Sequence, residues 1–202
     1  MWALFCAVWG FSVGAFAQPP DAGKPKESEV KVKQPENNSP NRKTSGIVFP
    51  DIEGWKKSGI TTYPNPALGY SINYDSYSGK GGRVTVYVYN GGESKIPDDI
   101  NDRVVKSEFE NAKSDIVKLG KQGLYQDLKE IRQQIVSVGN EGIKAHYALF
   151  YFDVRGQQVA SELYLFSYQD NFIKIRATRP KTSEKNDEFD NLLKEIALIF
   201  AN

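Results

Sequence analysis

One histidine, one cysteine and 25 acidic residues bound the chemistry open to this 202-residue chain. His146 stands alone, so zinc motifs needing two imidazoles, such as H-E-x-x-H, are excluded. A Ser-His-acid triad would have to use His146, yet no G-x-S-x-G turn singles out a serine. Ser78-Gly79-Lys80-Gly81-Gly82 has the composition of a phosphate loop. It lacks the G-x-x-x-x-G-K-[ST] spacing and stands between two alternating runs rather than before a helix, so it reads as a hairpin loop. Asp98, Asp99 and Asp102 cluster as calcium ligands would, but without the loop and distal Glu of an EF-hand. Capping of a following helix accounts for them. No pair of carboxylates stands out for glycoside hydrolysis. The expected cofactor and metal content is none.

The elements that must position these residues follow from periodicity. Residues 68–75 and 83–90 alternate and are rich in Val, Ile and Tyr, so each reads as a strand; 60–63 is a shorter one, stopped by Pro64 and Pro66. Ile100, Val104, Val105, Phe109, Ala112, Ile116 and Leu119 form one helical stripe. Pro97, Asp98, Asp99 and Asn101 signal its start, and Lys118, Gly120, Lys121 and Gly123 its end. Four strands are then expected, near 130–138, 143–153, 158–168 and 171–179. Gly139-Asn140-Glu141-Gly142, Arg155-Gly156 and Asp170-Asn171 mark their turns. Turns this short permit only antiparallel neighbours. A last helix runs from about Asn186 to Phe200, with Phe189, Leu192, Leu193, Ile196, Ile199 and Phe200 on its apolar side. The expected fold is α+β: an antiparallel sheet of six to seven strands with helices packed on both faces.

On that sheet one constellation is of interest. Lys144, His146, Glu162, Tyr164, Lys174 and Arg176 are expected on one mixed face, with Phe150, Phe152 and Phe166 further along. They form either cross-strand ion pairs on a solvated surface or a groove for a peptide or anionic ligand. Tyr63, Tyr70, Tyr74 and Tyr77 make a second aromatic group for contact with a glycan or a partner.

Met1 to Ala17 carries no charge, is apolar, and ends Ala15-Phe16-Ala17 before Gln18-Pro19-Pro20. This reads as a secretory signal peptide cut after Ala17. No Lys or Arg precedes the apolar run, which leaves an upstream start or an uncleaved membrane anchor as alternatives. Phe5 stands before Cys6, where lipid attachment needs a small residue. Cleavage would remove Cys6 and with it disulfides, thiolate catalysis and Cys-ligated zinc. Residues 18–45 hold five prolines, six basic and four acidic residues but only three aliphatic ones (Ala22, Val30 and Val32), and read as a disordered linker. Asn37-Asn38-Ser39 within it matches a glycosylation sequon. One α+β domain, 46–202, follows. A formal net charge of +1 argues against nucleic-acid binding by phosphate neutralisation.

Leu68-Gly69-Tyr70-Ser71-Ile72 opening a strand, Val84-Thr85-Val86-Tyr87-Val88-Tyr89 pairing with it, the long helix, and the closing meander with its terminal helix together resemble the PsbP-like fold. That fold is an antiparallel sheet between helices, shared by photosystem oxygen-evolving accessory proteins and a eukaryotic Ran-binding protein. The resemblance covers residues 60–201 and lies in element order and rhythm. It implies binding or stabilisation of other proteins rather than catalysis, and no residue match carries over the photosystem's ion or cofactor functions. The sequence thus points to a periplasmic or secreted, non-enzymatic binding or assembly factor with a protein or peptide partner in the envelope. The rivals are an envelope-acting hydrolase using a carboxylate pair or His146, and a membrane-anchored periplasmic domain. Partner identity and oligomeric state are not written in the sequence.

Overall fold

The computed structural model describes residues 47–140, 142–181 and 187–201. The expected signal peptide, the linker and its sequon, turn residue Glu141 and Asn186 lie outside the described residues. The strands are β1 (Trp55–Lys57), β2 (Thr61–Thr62), β3 (Tyr70–Ser76), β4 (Arg83–Tyr89), β5 (Gln126–Val138), β6 (Ile143–Val154), β7 (Gln157–Tyr168) and β8 (Asn171–Pro180). The helices are α1 (Arg103–Lys121) and α2 (Asp187–Ile199). All eight strands join one sheet in the order β1-β3-β4-β8-β7-β6-β5, with β2 beside β3, and every pairing is antiparallel. The class is α+β, as the periodicity requires. No helix among the described residues is long and apolar enough to cross a membrane.

Alternation decides which side each strand residue serves. Ile72, Tyr74, Val84, Val86, Val88, Ala145, Tyr147, Tyr164, Phe166, Ile173, Ile175 and Ala177 share one core with Phe189, Leu192 and Ile196 of α2. Ala148, Phe150, Phe152, Leu163, Leu165 and Phe172 share the other with Val105, Phe109, Ala112 and Ile116 of α1. The two helices therefore lie on opposite faces of the sheet.

Helix α1 starts at Arg103, later than the apolar stripe suggests. The Asp102 carboxylate accepts from the Val104 amide at 2.7 Å and caps the first turn, which leaves Ile100 in the approach to the helix. Asp99 accepts from the Asn101 amide at 2.8 Å, so this acid cluster serves the helix start. No cluster of His, Cys, Asp or Glu among the described residues could hold a metal ion.

The faces are covered unequally. On the α2 side the helix is joined by Phe49, Ile52 and Trp55, which precede or open β1 and extend the apolar cover to β3 and β4. These residues were missed in the sequence because a three-residue strand shows no period. Gly69 lets β3 close on β4: it takes φ 59°, and a Cβ there would lie 1.9 Å from the Val88 carbonyl oxygen. On the other side α1 packs on β5, β6 and β7, and its core takes in only Tyr87, Tyr89 and Phe172 of β4 and β8. Beyond it, the β3–β4–β8 part of this face carries Ser71, Asn73, Asp75, Arg83, Thr85, Lys174 and Arg176.

Candidate functional site

The six residues expected on one mixed face divide between two. Tyr168 pairs with Asn171 across a two-residue turn, so even-numbered residues of β7 stand opposite odd-numbered residues of β8. Glu162 faces Ala177 and Leu163 faces Arg176. Glu162 and Tyr164 thus belong to the α2 side, whereas His146, Lys174 and Arg176 lie on the α1 side.

On the α2 side Glu162 is 6% exposed and fully engaged. Its Oε1 accepts from Arg179 Nη2 at 2.9 Å and Nε at 3.2 Å. Its Oε2 accepts from the hydroxyls of Tyr164 at 2.7 Å and Tyr147 at 3.2 Å. Burial, then the Glu162 charge, pushes both phenol pKa values up, so neither tyrosine is suited to act as a base. Tyr147 and Tyr164 also line an open cleft of about 350 Å³ with Arg132, Gln134, Asp190 and Lys194.

His146 serves the α1 side as a packing residue. Its ring stacks on Phe109 at 5.0 Å, and Nε2 lies 2.8 Å from the Ile100 carbonyl oxygen. A carbonyl only accepts, so Nε2 carries the proton. Lys144 is exposed at the sheet's end, where its ammonium donates to Ser137 Oγ at 2.8 Å. The loop 78–82 is a hairpin loop, and it is tied to α2: Ser76 and Ser78 donate to the two carboxylate oxygens of Glu188 at 2.6 and 2.7 Å.

Lys174 and Arg176 form the remaining group. The Lys174 ammonium lies 4.5 Å from the Tyr87 ring centre and 5.2 Å from that of Tyr89. Arg176 donates through Nε to Ser161 Oγ at 2.9 Å, and its guanidinium lies 5.9 Å from the Tyr125 ring. Tyr125 is held by stacking on Phe152 at 4.1 Å. Register places Thr85 beside Arg176 and Tyr87 beside Lys174, with Ser71 and Asn73 one strand further. Tyr63 reaches the same surface and shares a 2.8 Å hydrogen bond with Ser71.

Neither cation forms an ion pair with a carboxylate among the described residues, although Arg83 on the same half-face is paired with Asp75 at 2.5 Å. Burial lowers the Lys174 pKa, and the Arg176 charge lowers it further against the opposing pull of Glu108 and Asp115. Glu108 is itself committed, accepting from the Tyr89 hydroxyl at 2.6 Å and from Asn111 at 3.2 Å. The four expected tyrosines also disperse. Tyr63 joins the cations, Tyr70 and Tyr74 pack on the α2 side, and Tyr77 is exposed.

No family model and no curated protein matches the chain. The chain is similar to a solved structure from Pseudomonas aeruginosa, PA94, a protein of unknown function. Identity is 9%, coverage is 66% of this chain and 75% of that one, and the TM-score is 0.30. A likeness at that level carries no functional argument.

Thr85, Tyr87 and Tyr125 escaped the sequence reading. Alternation in 83–90 puts Thr85 and Tyr87 on one side, but only the pairing of β4 with β8 brings them to Lys174 and Arg176.

Proposed function

We propose that this chain is a non-enzymatic binding or assembly domain, exported through its N-terminal segment and working in the cell envelope on a protein partner. The half-face of the sheet beyond α1 carries this reading. It sets phenol rings and two cations, without carboxylate partners among the described residues, on a rigid antiparallel platform. Such a platform offers area and donors to a partner. Two candidate catalytic groups are engaged in packing: His146 with Phe109 and the Ile100 carbonyl, Glu162 with Arg179 and two phenols. The apolar, uncharged run Met1 to Ala17 supports export.

The test is photo-crosslinking in the envelope of the producing cell, from a reactive amino acid placed at Tyr87 or, on the opposite face, at Arg132. A defined partner captured from position 87 and not from 132 is the expected result. Turnover of an envelope polymer by the full chain, with no capture from either position, would replace the binding reading by the hydrolase. Intact mass of the exported protein, expected to begin at Gln18, separates cleavage from anchoring.

A further inference from the structure

We propose that the Lys174–Arg176 platform is a docking site for an acidic segment of the protein partner, bound extended with carboxylates on alternate residues. This deepens the proposed function and rests on it. Lys174 and Arg176 are two residues apart on β8 and point to the same face, so their strand positions are about 7 Å apart. Acids at i and i+2 of an extended peptide repeat that spacing, and each can meet one cation.

The surroundings favour an incoming carboxylate. The internal acid that acts most strongly on Lys174 is Glu108, and both of its oxygens are engaged by Tyr89 and Asn111. Among the described residues Ser161 fixes Arg176 through Nε, which leaves the terminal nitrogens of the fork for a ligand. Tyr87 and Tyr125 lie beneath or beside the two cations, while Tyr63 adds a further phenol on the β2 side. All five side chains are half-buried, so the charges are partly shielded from water yet reachable. Carboxylate binding would return to Lys174 the stabilisation that burial removes.

Calorimetric titration of the full chain tests the idea with three ten-residue peptides of otherwise identical Thr and Val composition. One carries two Asp on alternate residues, one carries Asn at those two positions, and one carries the two Asp on adjacent residues. The alternating Asp peptide is expected to bind at least tenfold more tightly than the other two, and to weaken as salt rises. Lys174→Met and Arg176→Gln are each expected to weaken it about 10- to 100-fold at unchanged melting temperature. Equal affinity for the Asp and Asn peptides overturns the proposal, and that comparison needs no variant to fold. Affinity unaltered in both variants, or full displacement by inorganic phosphate at equal concentration, also overturns it, the latter by marking a small-anion site. Partner capture from Tyr87 that survives both substitutions would sink this site while leaving the binding function standing.

Discussion

On the α2 side of the sheet Glu162 meets Arg179 and two phenols, and α2 and the stretch ending in Trp55 close over the surrounding core. On the α1 side Lys174 and Arg176 meet rings and a serine, and the helix stops short of them. Both arrangements use charge, but at different depths. A buried carboxylate must be satisfied within the fold, because water cannot replace a missing partner. A half-buried cation can remain without a counter-charge and be satisfied from outside. The difference separates a structural network from the surface proposed here for docking.

Substitutions that attack one side at a time break or sharpen that contrast. Glu162→Ala removes the carboxylate that accepts from Arg179 and two hydroxyls and is expected to cost about 3–5 kcal/mol in chemical denaturation; a loss below about 1 kcal/mol would erase the distinction between the faces. Next in size is an alkaline effect centred on Tyr74, whose pKa burial, and then Asp51, pushes up to about 12. The unfolded phenol ionises near its ordinary value of 10.0 while the folded one keeps its proton. Stability should therefore fall on the order of 2–3 kcal/mol as pH rises from 10 to about 12. Tyr74→Phe should remove its share of that decline, to which Tyr147 and Tyr164 also contribute, while costing about 1 kcal/mol at neutral pH, where its 2.9 Å bond to the Pro50 carbonyl is lost.

A smaller change is expected from His146→Phe. It keeps a ring against Phe109 but loses the bond to Ile100, for about 1 kcal/mol in a thermal melt and no change in partner capture. The smallest stability effect belongs to Lys174→Met, within about 0.5 kcal/mol of wild type at pH 7. With the Lys174 pKa lowered, the folded protein sheds this proton first, so wild type should gain on the variant as pH climbs toward 10.5. Large destabilisation by Lys174→Met would make the cation part of the scaffold after all.

Local signals were strong enough to reveal most of the fold. The stripe through Val105, Phe109, Ala112 and Ile116, the alternation in 83–90 and the short turns of the meander required an antiparallel α+β sheet. β5 begins at Gln126, earlier than its pattern shows, because an edge strand whose residues are mostly exposed has no apolar period to display. The candidate site was half legible. Lys174 and Arg176 stood out as charges among apolar neighbours, but their companions depended on phase. The turn at Gln169 and Asp170, both at positive φ, sets that phase and moved Glu162 and Tyr164 to the opposite side. Thr85 and Tyr87 come from some ninety residues upstream, and nothing in a single sequence marks that seam.

Because Arg83–Tyr89 docks along Asn171–Pro180, the molecule closes late. A polypeptide leaving the ribosome exposes its first hairpin long before the strand that will receive it has been made. The proposed docking platform cannot pre-exist that event, since Lys174 and Arg176 are made some ninety residues after the Thr85 and Tyr87 they pair with. On the proposed reading, capture of a partner waits for the synthesis of Asn171–Pro180.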